Sequence, residues 1–253
     1  DNGDILEWDI TDPNNPALLF TIQGNGEYPN SIAISADGKT LALGNSDTTI
    51  ALWDVTDSAA PVRLSVWSGH SLPINSLAFS ADGNTLASSS DETKAPIILW
   101  DISNRNIPKK IRTISGHSLT VTSLLFNQNN DILISGSRDG MIMLWNVSNP
   151  KTGLELGSID FPADEFATGM AFKPNSNLLV SENSDGKLTI WDISDFTSPK
   201  KIKTLSGPIN ISVFSGDGKL MASSGNDNVV TLWNATDFVK LSTIKIDNDT
   251  VNA

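Results

Sequence analysis

Six tryptophans sit in nearly the same setting: ILEWDI (5–10), IALWDV (50–55), IILWDI (97–102), IMLWNV (142–147), LTIWDI (188–193) and VTLWNA (230–235). Successive tryptophans are 45, 47, 45, 46 and 42 residues apart. A period of that length, held along the whole chain, is a repeated supersecondary unit, and it decides the architecture before any local feature. Asp47, Asp139, Asp185 and Asp227 each stand six residues ahead of the Trp. Asp91 stands nine ahead of Trp100, because ETKAP (92–96) lengthens that turn by about three residues. Farther upstream, ADGK (36–39), ADGN (81–84), QNND (128–131), PNSN (174–177) and GDGK (216–219) read as one hairpin turn per unit.

Each unit resolves into four short strands. The first is apolar (74–80, 121–127, 167–173), and the second is small and Ser-rich, as in LASSS (86–90), LISGS (133–137) and MASSG (221–225). The third carries the Trp, and the fourth follows a turn rich in Asp, Asn and Pro. Strands of this length between Gly, Asp and Asn turns, without helical periodicity, predict an all-β fold. The first and third strands are expected to be apolar on both faces, and the small second strand to let neighbouring sheets approach closely. One four-stranded sheet cannot bury two apolar faces alone, so stacking of units is the natural solution.

The residues Gly69-His70 and Gly116-His117, the turn Asp and the Trp-Asp pair resemble the WD-repeat β-propeller family over essentially the whole chain. The resemblance implies a hydrogen-bonded tetrad of His, turn Asp, a second-strand hydroxyl and Trp in each complete blade. Carried over, these are His70, Ser88, Asp91 and Trp100 in one blade, and His117, Ser135, Asp139 and Trp145 in the next. GNGEYPN (24–30), DFPADEFATG (160–169) and SGPIN (206–210) lack the Gly-His pair, so their tetrads are expected to be incomplete. Glu7 replaces the usual Leu or Ile before Trp8, and Asn2 stands where the turn Asp belongs. The turns after the Trp strands resemble those of bacterial multidomain WD-repeat proteins. That likeness implies a sensor or scaffold propeller attached to an effector such as an NTPase, kinase or protease-like domain.

Catalytic machinery is not visible. There is no Cys, so thiolate chemistry, disulfides and Cys-ligated metals are excluded. Both His residues belong to Gly-His pairs, and a Ser–His nucleophile would have to dismantle a tetrad. GSRDG (136–140) is no nucleophile elbow, DGKT (37–40) lacks the upstream Gly of a phosphate-binding loop, and Asp247 with Asp249 lacks the spaced ligands of a calcium loop. Neither an enzyme, a cofactor nor a bound metal is expected; the alternatives to recognition are a structural spacer and, least of all, an enzymatic propeller.

The formal charge is −12 from 17 basic and 29 acidic residues. Seventeen of those acids are Asp in repeated turn positions, where Asp is favoured for its own hydrogen bonding. The remaining 12 face the 17 basic residues, so bulk negative charge selects no partner. Lys109-Lys110 and Lys200-Lys201 fall at the start of the exposed fourth strand, where charge discourages edge-to-edge pairing. Nucleic acid and membrane are therefore not expected as partners. With no signal or membrane-spanning stretch in the sequence, the expected location is cytoplasmic.

What remains is the rim formed by loops leading into the first strands and by the turn before the Trp strand. In the family this face often carries partners, and the matching positions include Tyr28, Asn30, Asn75, Thr122, Arg138, Phe166 and Thr168. Tyr28, Phe166 and Arg138 stand out as residue types enriched in binding hot spots, although the two aromatics could equally plug gaps left by the missing Gly-His pairs. The expected partner is a protein or peptide, or another domain of the same polypeptide.

The expected organisation is a single propeller domain over 1–253. It divides into a partial blade (1–23), blades at 24–68, 69–115, 116–157, 158–206 and 207–247, and the start of a further blade (248–253). At a period near 45 residues the chain holds about 5.6 repeats, and a seven-bladed ring is the expected context.

Overall fold

The computed structural model describes residues 3–9, 11–12, 15–23, 28–92, 94, 96–149, 151 and 154–245. The proposed start of a further blade at 248–253, Asn2, and the Asp247/Asp249 pair lie outside them. Among the described residues there are 22 β-strands and no helix. A two-stranded sheet pairs β1 (Ile5–Asp9) with β2 (Ala17–Ile22). Five four-stranded sheets follow, each in simple sequence order. They are β3 (Pro29–Ile34), β4 (Thr40–Asn45), β5 (Thr49–Asp54), β6 (Val62–Ser68); and β7 (Ile74–Phe79), β8 (Thr85–Ser90), β9 (Ile97–Asp101), β10 (Lys109–Ile114). Next come β11 (Val121–Phe126), β12 (Ile132–Ser137), β13 (Met141–Asn146), β14 (Leu154–Asp160); and β15 (Ala167–Phe172), β16 (Leu178–Asn183), β17 (Leu188–Asp192), β18 (Lys200–Leu205). The last comprises β19 (Ile211–Phe214), β20 (Leu220–Ser224), β21 (Val229–Asn234) and β22 (Val239–Lys245). This is the all-β architecture of four-stranded blades that the repeat predicts. The chain divides into two compact units, one of residues 1–131 with 147–153, the other of 132–146 with 154–253.

Burial corrects one expectation. In the sheet of β3–β6 the second strand, not the first, is the covered one. All six residues of β4 and of β12 are buried, whereas β3 alternates half-buried and exposed positions. Small side chains are what allow this: a Cβ on Gly44 would collide with Ile74, and one on Gly136 would press on Ala167. In the first unit Ala42, Ile50, Leu52, Ile74, Leu86, Ile98 and Trp100 form one buried cluster. In the second, Val180, Leu188, Ile190, Ile209, Met221 and Trp233 form another. Each fully buried Leu or Ile contributes about 1.5–3 kcal/mol. The fourth strand is the exposed one, and β22 is exposed at every position.

Two irregularities recur at fixed places. In every sheet where the Trp strand's pairing with the fourth strand is described, the register shifts at the Trp. The extra residue is always Leu or Ile: Leu19, Leu64, Ile111, Leu156, Ile202 and Leu241. The second irregularity opens the first strand. Pairing passes from Pro29 to Ser31, from Ile74 to Ser76 and from Ala167 to Gly169, leaving Asn30, Asn75 and Thr168 as bulged residues.

Candidate functional site

The tightest polar constellation of the first unit centres on Ser88, which is wholly buried. Its Oγ accepts the Trp100 indole N–H at 2.8 Å and pairs with His70 Nε2 at 2.8 Å. The sequence reading assigned Asp91 to this imidazole, and that assignment is corrected. His70 Nδ1 faces Glu92 Oε1 at 3.5 Å, while Asp91 Oδ1 accepts the Asn75 amide at 2.8 Å and the Thr120 hydroxyl at 3.0 Å. The inserted ETKAP segment is the reason: it lengthens the turn, so the next acid along reaches the ring. Burial pushes the His70 pKa down, Glu92 opposing it, which leaves the imidazole neutral at neutral pH. Partial burial works against the Glu92 carboxylate, but the Ser71 N–H and His70 outweigh it and hold its pKa below the ordinary value.

The Trp-to-Ser bond recurs in the Gly116-His117 blade and also survives the loss of Gly-His in the blades of Trp191 and Trp233. Trp145 donates to Ser135 at 2.8 Å, Trp191 to Ser181 at 3.0 Å and Trp233 to Ser223 at 2.8 Å. The blade of Trp53 is the exception. Leu43 takes the hydroxyl's register position opposite Ala51, and the Trp53 Nε1 is buried without a hydrogen-bond partner. His117 is buried in the first unit, and Ser135, Asp139 and Trp145 belong to the second.

The predicted face distributes over both units. In the first, Tyr28 is half exposed and its carbonyl accepts the Ser46 N–H at 2.9 Å. Asn30 is exposed, Asn75 is tied to Asp91, and Thr122 is half-buried in β11. In the second, the Arg138 guanidinium stands over the Phe166 ring, 5.9 Å from its centre. Phe166 is anchored through its N–H, which donates to Ser184 Oγ at 3.1 Å. Thr168 is exposed, and its hydroxyl donates to the Glu182 carbonyl at 3.1 Å. Asn30, Asn75 and Thr168 are the bulged residues of their strands. A bulge leaves its residue outside the ladder and re-aims its side chain, a device common beside binding sites. Sequence reasoning found these positions by family correspondence but had no signal for the bulges.

It also missed Glu182. SEN (181–183) stands where other units have SSS or SGS, so the acid replaces a small residue facing the neighbouring sheet. Glu182 is buried, and its carboxylate accepts the hydroxyl of Ser212 in β19. A Cβ on Gly169 would collide with its Oε2. Burial pushes its pKa up to about 7, against the hydrogen bonds from Ser212, and none of the groups acting on it is charged. No group of three or more His, Cys, Asp or Glu able to hold a metal ion occurs among the described residues.

The turn aspartates serve their own loops. Asp47, Asp139, Asp185 and Asp227 accept the N–H two residues on at 3.0–3.2 Å. The Trp-Asp residues Asp9, Asp54, Asp101 and Asp192 do the same at 2.8–3.0 Å. The profile of the family described as "WD domain, G-beta repeat" matches residues 16–54, 61–93, 108–146, 159–192 and 199–234. No curated protein was found to match the chain.

Proposed function

Because the chain belongs to the WD-repeat family, we propose that it is a recognition module, the sensor or ligand-binding propeller of a larger signalling protein. WD repeats generally mediate protein–protein interaction or scaffolding and are typically non-catalytic. The observation that carries the reading is the bulge at the start of the first strand. In three blades it presents a polar side chain, Asn30, Asn75 or Thr168, from one fixed scaffold position. Side chains held outside the ladder on a rigid frame are how folds of this kind carry binding sites. Arg138 over Phe166 adds a pre-ordered cationic and aromatic pair, of the kind that anchors peptide ligands. A protein or peptide is the partner these groups suit, with an effector domain of the same polypeptide among the possibilities, in a cytoplasmic setting.

Quantitative capture from lysate by the wild type, Arg138→Glu and Tyr28→Ala tests the reading, with sedimentation following self-association in parallel. The expected result is loss of the captured partner in both variants, with melting temperature and self-association unchanged. Undiminished capture by both variants would remove this face from consideration. A change in self-association alone would point instead to an assembly or spacer role.

A further inference from the structure

In the blade of β19–β22, SGPIN (206–210) takes the place of SGHSLPIN (68–75), so the segment His-Ser-Leu is missing. A pocket of about 350 Å³ occupies the position, lined by Pro208, Ser223, Asp227, Thr231, Trp233 and Lys240, among others. Its registry with the complete blade is direct: Trp233 pairs with Lys240 as Trp100 pairs with Lys110, and Ser223 lies opposite Thr231 as Ser88 lies opposite Ile98. The volume is at the lower end of the roughly 300–1,000 Å³ typical of ligand pockets.

The chemistry of the wall is specific. Ser223 is 4% exposed, and its Oγ accepts the Trp233 indole N–H at 2.8 Å. Its own hydroxyl proton has no acceptor among the described residues, whereas Ser88 has His70 Nε2 at 2.8 Å. The blade of β15–β18 also lacks Gly-His, but there the proton is committed. Ser181 donates to Asn183 Oδ1 at 3.1 Å, and Asn183 donates in turn to Thr189 at 3.2 Å. The equivalent of Asn183 in the last blade is Gly225, and a Cβ there would fall on the carbonyl oxygen of Pro208. The shortened loop therefore forbids the internal solution that the preceding blade uses. A group that completes this wall must offer a lone pair to Ser223 and an N–H towards the Asp227 side, and it must be flat enough to lie by the Trp233 indole.

We propose that this pocket binds a neutral imidazole, in the place that His70 fills in the complete blade, supplied either by a histidine side chain of a protein segment or by a small imidazole compound. The site shares no residue with the candidate partner face and goes beyond the function read from that face.

The indole ¹H–¹⁵N resonance of Trp233 reports the site, because that N–H is bonded to Ser223. Two probes are titrated at about pH 8, where imidazole is neutral: imidazole itself, and the blocked hexapeptide Ser-Gly-His-Ser-Leu-Pro copied from residues 68–73. A saturable shift of Trp233 is expected, with the Trp191 indole unmoved. Binding of the peptide about tenfold or more tighter than imidazole, a gain of about 1.4 kcal/mol, assigns the source as a protein segment. Equal or weaker binding of the peptide assigns a small molecule. Ser223→Ala should abolish the shift. Inserting His-Ser-Leu between Gly207 and Pro208 should abolish it as well by filling the pocket from within, and does not depend on the Ser223 variant folding. A Trp233 resonance unmoved by both probes, or a shift that survives the insertion, overturns the proposal.

Discussion

Glu182 is a carboxylate in a position that the fold otherwise gives to Gly or Ser, and its environment makes it a sensor of pH. With a folded value near 7 against an ordinary 4.5, the native state keeps a proton that the unfolded chain has released between those two pH values. Native protein then binds more protons than unfolded protein, so stability falls as pH rises through that window and levels off above it. The full span corresponds to about 3 kcal/mol. Glu182→Gln keeps the shape and the bond to Ser212 but cannot ionise. Urea unfolding from pH 5 to pH 8 should show this stability loss in the wild type and its absence in the variant, which becomes the more stable protein at pH 8. A variant with the same slope as the wild type would place the titrating group elsewhere.

At the scale of the strand, the tryptophan period made the sheets legible because Trp recurs once per unit at the same place in the third strand. The bulges were not legible. Leu64, Ile111 and Ile202 look like ordinary members of alternating strands, and nothing in RLS, KIR or KIK announces that one residue has been added. The exchange of Asp91 for Glu92 escaped for a related reason: spacing locates a loop, but the length of an insertion decides which of two adjacent acids reaches a ring. The close approach at β4 and β12 was legible in their small residues; that every position of both strands is buried was not. The bulge makes its own prediction. Ile202 is 53% exposed, so Ile202→Ala should change stability by about 0.5 kcal/mol or less. Deleting Ile202 is different, because it removes the bulge itself: Lys203 and Lys201 already face Ile190 and Trp191 and would follow one another in an unbroken ladder, without the local bend and added twist of the bulge. Urea unfolding should therefore show the deletion costing more than the substitution, with Lys200 and Lys201 still opposite Asp192 and Trp191; equal costs would show that the bulge contributes nothing.

For the molecule as a whole, the charge of −12 suggests mutual repulsion, yet the carboxylates are engaged locally. Asp9, Asp37, Asp54, Asp101, Asp192, Asp195 and Asp217 all have pKa values held below the ordinary range. The principal cause in each is a hydrogen bond from a hydroxyl or N–H two residues away. A depressed folded value means that the stabilisation is complete above the unfolded value of 3.8 and is lost as pH falls through the folded values. Hydrogen bonds of this kind are short-ranged, whereas repulsion between turns would be screened by salt over the roughly 10 Å Debye length at 0.1 M. The two origins of acid sensitivity therefore separate experimentally. Raising sodium chloride from about 0.05 M to about 0.5 M at pH 6 should leave the melting temperature within a few degrees of its starting value, because the dominant contributions are unscreened. Lowering the pH from 5 to 3 at constant salt should destabilise the fold progressively as the turn carboxylates protonate. Strong stabilisation by salt would show instead that the aspartates repel one another across turns, and that the acidity is a property of the surface field.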